Sequence, residues 1–294
     1  MNKNHLNNKK TQILVTGDKG LLGTAVVSCL RMDMRYEVTV FEGDITKEDD
    51  MKMYREENVP YDWVLHFAAC TDVGRCEKDQ AYCRMVNAEG TMRVRDIAEH
   101  HSARFLYMST VSVFDGATGN YREHDMPYPK NNYNLSKLLG EHSALEYEKS
   151  VIVRSNLIGI HSEGNRGKNF FEWLFKSFSA NEDMNLFTDV RMNPLSQWSL
   201  AENIIRLLDG DKQGRIIHFG TKDIVSKFEI ALYLKECAFL SYLGKLTEVS
   251  VDDSGLQGGR PKEMWLNTEY AEKLGFVMPS WKEEVNKIIQ KVKN

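Results

Sequence analysis

Thr16-Gly17-Asp18-Lys19-Gly20-Leu21-Leu22-Gly23 sets three glycines at G-x-x-G-x-x-G spacing between a β-rich run at 12–15 and a helical run at 21–30. Such a turn needs positive φ and close approach of backbone to a neighbour, both of which glycine permits. A helix starting there aims its free N–H groups and positive dipole end into the turn, which suits a pyrophosphate. Glycines also make ordinary turns. This trio follows the first strand and opens the first helix, the context that gives a dinucleotide motif weight.

The rest of the first half keeps the same rhythm. Predicted strands at 37–41, 62–67, 104–108 and 151–154 alternate with predicted helices at 47–57, 82–101 and 134–147. Alternation of this kind implies right-handed crossovers and a parallel sheet covered on both faces. The apolar strand runs do not alternate with polar residues, which fits burial on both sides. The expected fold is α/β, a doubly wound (Rossmann) parallel sheet with a smaller mixed α/β C-terminal substrate lobe. After Arg154 the rhythm loosens into a polar loop at 163–168, helices at 170–178, 199–208, 227–240 and 281–292, a strand at 215–219 and a loop at 252–260. The domain reading is a flexible tail at 1–10, a dinucleotide-binding domain at 11–160 that 186–220 rejoins, and a substrate-binding lobe from 161–185 and 221–294.

Charge and cysteine usage exclude several functions. The 294 residues carry 38 basic and 42 acidic side chains, a net charge of −4, and so no electrostatic footprint for nucleic acid. No apolar run approaches the ~18 residues a membrane span needs, and no export signal follows the Lys-rich start, so a cytoplasmic location is expected. Five cysteines, an odd count without a C-x-x-C pair, read as reduced structural thiols. No metal is expected.

Of the twelve tyrosines only Tyr133 has a lysine, Lys137, four residues on. On a helix that spacing puts both side chains on one face. The helix follows the fourth strand, so the pair lies at the carboxyl edge of the sheet, where doubly wound folds bind ligands. A neighbouring ammonium favours the phenolate and suits a phenol to reversible proton transfer. Ser109 and Thr110 end the fourth strand; either hydroxyl could hold a carbonyl beside the phenol, or simply cap a turn. Glu42 and Asp44 are the candidates for the acidic residue expected about 20 residues after the glycine turn, with helix capping the competing role for Asp44. Arg260 is a candidate clamp for a substrate diphosphate. The aromatic run 170–178 reads as core or subunit interface ahead of a base-stacking wall.

These residues resemble the extended short-chain dehydrogenase/reductase superfamily and, within it, the dTDP-4-dehydrorhamnose reductase family. The likeness covers nearly the whole chain. It is carried by the glycine turn, Gly43-Asp44-Ile45-Thr46, Ala68-Ala69-Cys70-Thr71, Val86-Asn87-Ala88-Glu89-Gly90-Thr91, Ser109-Thr110 with Val113-Phe114-Asp115-Gly116, and Tyr133-x-x-x-Lys137. Arg260-Pro261-Lys262 and Leu266-Asn267-Thr268 complete it. The resemblance implies that Thr110 holds the substrate carbonyl, that Tyr133 protonates its oxygen, and that Lys137 binds the nicotinamide ribose while lowering the Tyr133 pKa. It implies cofactor contacts from Gly17, Gly20, Leu21, Leu22, Gly23, Glu42, Asp44, Ile45, Ala68, Ala69 and Cys70, with Asn87 supporting the active-site hydrogen-bond network. Substrate contacts fall to Thr71, Thr110, Val111, Phe114, Leu157 and Arg260. The implied reaction is reduction of the C4 ketone of a nucleotide-linked deoxysugar by NADPH or NADH. A nucleotide sugar is the expected partner, and a homodimer is left open. Val111-Ser112 and Leu157 stand where the family usually has Asp-Tyr and Trp, and Gly74 where it has Asp, so a related keto-sugar is as well matched as the rhamnose precursor. The same erosion admits an alternative from another class, a non-catalytic dinucleotide-binding subunit like the β subunit of methionine adenosyltransferase.

Overall fold

The computed structural model describes residues 9–161, 169–210, 215–254 and 261–293. The expected tail lies almost wholly outside the described residues, as do the 163–168 loop and residues 255–260 of the next one.

Five strands, β1 (Thr11–Thr16), β2 (Tyr36–Val40), β3 (Trp63–His66), β4 (Arg104–Met108) and β5 (Ser150–Ser155), alternate with α1 (Leu21–Met32), α2 (Glu48–Arg55), α3 (Val73–Lys78), α4 (Gln80–Arg84), α5 (Gly90–His100) and α6 (Asn132–Leu145). A sixth strand, Ile216–Phe219, pairs parallel with β5, so the chain does return to the sheet there. The strand order, from that edge, is Ile216–Phe219, β5, β4, β3, β1, β2, and every pair is parallel. Winding reverses between β1 and β3, and a crevice opens outside their carboxyl ends.

Alternation along each strand feeds two apolar layers. Ile13 and Val15 join Leu65, Leu106 and Val153 under α1 and a later helix, α8 (Gln197–Leu208), while Leu14, Val64, Phe105 and Ile152 pack beneath α2, α5 and α6. Both faces are covered. That is why the central strands carry apolar residues at consecutive positions, as at Ile13, Leu14 and Val15.

The long helix expected at 82–101 is a composite. Asp72 and Asp79 each accept a backbone N–H from the third residue after them, Arg75 and Tyr82, and so start two short helices in succession. A π-helical turn, Met85–Glu89, then joins α4 to α5. The break between α3 and α4 brings the Cα atoms of Cys76 and Cys83 to 5.1 Å, and their sulfurs form a disulfide. The expectation of five reduced thiols is therefore corrected: the spacing rule looks for close sequence pairs, whereas here a helix break makes the pair.

Beyond β5, α7 (Phe170–Ser179), α9 (Lys227–Ala238), a short α10 (Glu269–Lys273) and α11 (Trp281–Lys293) accompany small sheets. Met184–Phe187 pairs parallel with Leu246–Val249, and Arg191–Met192 lies between Val225–Ser226 and Glu263–Met264. Phe171, Phe178, Ile230, Leu234, Val285 and Ile288 share one core, with Phe170 and Phe175 packed against it, so most of the aromatic run at 170–178 is core while Trp173 is exposed.

Candidate active site

The glycine turn is fixed by close backbone approach. Gly17 has φ +76°, and a Cβ on it would lie 2.4 Å from the Ala68 nitrogen at the exit of β3. A Cβ on Gly23 would lie 2.1 Å from the Gly17 oxygen. Gly20 caps α1 without a side-chain hydrogen bond, so the first N–H groups of the helix face the crevice with no side chain of that cap to occupy them. These features fit a pyrophosphate cradle.

Two adjoining cavities, about 1040 Å³ and 700 Å³, share Gly17, Gly20, Ala68, Ala69 and Thr71. Glu42, Asp44, Ile45 and Cys70 line the first, with Lys19 and Arg75. Leu21, Leu22, Gly23, Thr110, Tyr133, Lys137 and Leu157 line the second. A separate cavity of about 410 Å³ beside Arg122, Arg215 and Lys273 contains none of the expected site residues.

Asp44 does not cap α2. Its carboxylate accepts from the Thr46 N–H (2.9 Å) and hydroxyl (2.7 Å), which holds it below the ordinary Asp range, and the residue capping α2 is Lys47. Asn87, in the middle of the π-turn, is 1% exposed and lines neither cavity. It clamps the loop after β3 instead: Cys70 N–H donates to Asn87 Oδ1 (2.7 Å), and Asn87 Nδ2 donates to Cys70 O (2.9 Å) and Ser136 Oγ (2.9 Å).

Below this loop His66 is buried and neutral. Thr91 gives its hydroxyl proton to Asn87 O, so at 3.1 Å it accepts from His66 Nε2–H. Nδ1 is then the acceptor for the Thr16 hydroxyl at 2.6 Å. Burial and the nearby Lys137 charge hold this imidazole down to about 3.

Thr110, Tyr133 and Lys137 reach the second cavity from three places in the chain. Ser109 is engaged elsewhere: its hydroxyl donates to Glu141 at 2.5 Å, within the buried ion pair of Glu141 with Arg154 (2.6 Å). Thr110 Oγ1 accepts from Ser112 N–H at 3.1 Å, so it caps the 3₁₀ turn Val111–Val113 and keeps its own proton for a ligand. Lys137 Nζ donates to Met108 O at 2.8 Å and stands 4.2 Å over the Tyr107 ring. Burial pulls this ammonium down to about 7, against the opposing Glu141 charge.

Tyr133 departs from expectation. Burial first, then the charge that Cys70 can carry, push its phenol up to about 12, whereas the resemblance implies a lowered value. The physical reason is desolvation of both partners: a lysine that is itself losing its charge is a weak stabiliser of phenolate.

On the sugar side two expectations fail. Val111 and Phe114 are each 1% exposed and belong to a separate apolar cluster with Val113, Tyr121, Met264 and Leu266. The 3₁₀ turn winds these side chains inward, and Phe114 stacks on Tyr121 at 4.2 Å. Ser112, noted from sequence as a departure from the family pattern, lines the cavity in their place, with Asn156, His161 and Asn169, which were not proposed as site residues. His161 Nδ1 meets Glu172 at 2.8 Å across α7, a pairing with no local sequence signal. Arg260 lies outside the described residues.

Residues 11–294 match the RmlD substrate binding domain family. The chain belongs to this family. Family relatives include a probable low-salt glycan biosynthesis reductase of Haloferax volcanii, 27% identical over 92% of this chain and 95% of its own. Another is a spore coat polysaccharide biosynthesis protein of Bacillus subtilis, 28% identical over 95% of this chain and 97% of its own. Among solved structures, the dTDP-4-dehydrorhamnose reductase of Bacillus anthracis in complex with NADP superposes with a TM-score of 0.87, at 26% identity, over 96% of this chain and 100% of that one. A UDP-glucose 4-epimerase of Thermotoga maritima shares the fold, with a TM-score of 0.80 at 18% identity.

Proposed function

We propose that this protein is an NAD(P)H-dependent reductase of a nucleotide-linked 4-keto-6-deoxysugar. The observation that carries the reading is that the glycine cradle, Thr110, Tyr133 and Lys137 open onto one continuous crevice at the switch point of the sheet. A dinucleotide held in this crevice would supply hydride to the C4 carbon. Gly20, Leu21 and Leu22 hold its pyrophosphate at the α1 start, Glu42, Asp44 and Ile45 the adenosine end, and Ala68 to Cys70 the ribose wall. Thr110 donates a hydrogen bond to the ketone oxygen and keeps its proton, and Tyr133 gives the one proton that oxygen takes up as it becomes alkoxide. A phenol held near 12 is fully protonated at neutral pH and poised to act as the acid. Lys137, one helical turn from Tyr133 on α6, would hold the ribose with its ammonium. Thr71, Ser112 and Leu157 border the sugar.

The test is cofactor oxidation with a panel of keto-sugar nucleotides, comparing wild type with Tyr133→Phe. Turnover of at least one of them, lost in the variant, supports the reading. Cofactor binding without turnover of any, alongside a co-purifying enzyme, supports the regulatory-subunit alternative instead.

A further inference from the structure

Three cysteines meet behind the ribose wall of the crevice. Cys76 on α3 and Cys83 on α4 form the disulfide and are fully buried. Cys70, a free thiol on the loop leaving β3, sets its Sγ 3.8 Å from Cys76 Sγ, and the three sulfur atoms lie within 4.8 Å of one another. Cys70 alone of the three is partly exposed, and it lines the larger cavity.

We propose that these residues form a thiol–disulfide exchange site, in which Cys70 attacks the Cys76–Cys83 disulfide and gives the ribose wall two covalent arrangements. Cys70 gives up its proton and its thiolate attacks Cys76 Sγ. The Cys70–Cys76 bond forms as the Cys76–Cys83 bond breaks, and Cys83 departs as a thiolate that takes up the proton. Nothing is oxidised or reduced overall. The three sulfurs form a triangle, so the Cys70 side chain has to swing for in-line attack.

The surroundings favour the departing sulfur. Asn87 Nδ2 donates to Cys83 Sγ at 3.5 Å, while Ser136 Oγ, 3.2 Å from that sulfur, has its own proton on Tyr133 O, so the leaving thiolate meets one amide donor in a site otherwise closed to water. The same two side chains hold the catalytic wall. Asn87 fixes both backbone groups of Cys70, and the Ser136 hydroxyl donates to Tyr133 O at 2.7 Å. In the Cys70–Cys76 isomer the wall is tied to α3, and a free Cys83 competes for its clamp. A dinucleotide against that wall binds the two isomers unequally. This coupling rests on the reductase reading; the exchange itself does not.

Trypsin cuts after Arg55, Arg75, Lys78 and Arg84, which leaves each cysteine on its own peptide. Full-length protein equilibrated with oxidised glutathione is alkylated with iodoacetamide, digested and mapped by mass spectrometry. The expected map holds two linked pairs, Cys76–Cys83 with alkylated Cys70 and Cys70–Cys76 with alkylated Cys83. Cys83→Ser carries only the second pair and Cys70→Ser only the first. A single linkage in the wild type, three alkylated cysteines, or a thiol-bound metal found by elemental analysis overturns the proposal. Fluorescence titration with NADPH and NADH then reads the coupling. Oxidised Cys83→Ser binds roughly fivefold more weakly than its own dithiothreitol-reduced form, while Cys70→Ser is indifferent to that treatment. Equal affinities in both forms of Cys83→Ser overturn the coupling. Absence of binding in every form, wild type included, overturns the reductase reading and leaves the linkage map standing.

Discussion

The cofactor wall and the sugar wall of the crevice are built differently. On the cofactor side the glycine cradle and the proton-transfer pair come from regular elements: a strand end, a helix start, and a phenol and an amine one helical turn apart on α6. The loop after β3 is clamped there by Asn87 from a π-turn. On the sugar side the positions come from a 3₁₀ turn, a two-residue strand and the entry to α7, and they face the cavity through local twists of the chain. Regular backbone fixes where Tyr133 and Lys137 point, whereas in the 3₁₀ turn one residue decides whether Val111 or Ser112 faces the cavity.

The largest effect should come from the rigid side. Tyr133→Phe is expected to lower kcat/KM by about 10²–10⁴, with dinucleotide affinity unchanged by fluorescence titration. An undiminished rate would remove the acid from the cofactor wall and break the contrast.

A paired substitution sharpens the difference between a residue that faces the sugar and one that does not. Phe114→Ala should cost about 3–5 kcal/mol in urea unfolding, as loss of a buried ring does, while leaving KM in place. Ser112→Ala should do the reverse, moving KM while stability stays within about 0.5 kcal/mol. The opposite pattern would return Phe114 to the pocket.

Lys137 gives a pH signature of intermediate size. Its folded value is lowered to about 7 by burial, so the charged form, proposed to hold the ribose, disappears as pH rises through 7. The kcat/KM profile, which reports the free enzyme, should be flat below pH 7 and fall about tenfold per unit above it. Lys137→Arg keeps its charge and should flatten the fall. A profile level to pH 9 in the wild type would contradict the assignment.

The smallest effect is one of stability under the cofactor wall. His66 is held down to about 3 in the folded protein against an ordinary 6.5. Between those values the unfolded chain binds a proton that the folded one refuses, so stability falls as pH falls below 6.5. Urea unfolding at pH 7 and pH 5 should show this loss, and His66→Gln should reduce it. An unchanged slope in the variant would place the acid sensitivity elsewhere.

Much of this was legible in the sequence, for physical reasons. The sheet strands were readable because burial on both faces demands unbroken apolar runs, as at Ile13, Leu14 and Val15. Gly17 and Gly23 were readable because no Cβ fits there. The two short helices α3 and α4 were not, since Asp72 and Asp79 cap separate turns before the run expected to begin at Tyr82, and the disulfide followed from the break between them. Nor was the fate of Val111 and Phe114, whose direction is set by a 3₁₀ turn that leaves no periodic trace. The raised Tyr133 value depends on how deeply two side chains are desolvated, a tertiary quantity that four-residue spacing does not carry.

The most direct test of the account is isotopic. Wild-type protein is given a keto-sugar nucleotide with reduced dinucleotide deuterated at the transferring nicotinamide carbon, and the product is read by NMR. The account requires deuterium at the sugar C4 in the wild type, with formation of that product collapsing in Tyr133→Phe. Turnover that leaves C4 unlabelled, or labelled product formed equally well by the phenylalanine variant, would contradict it.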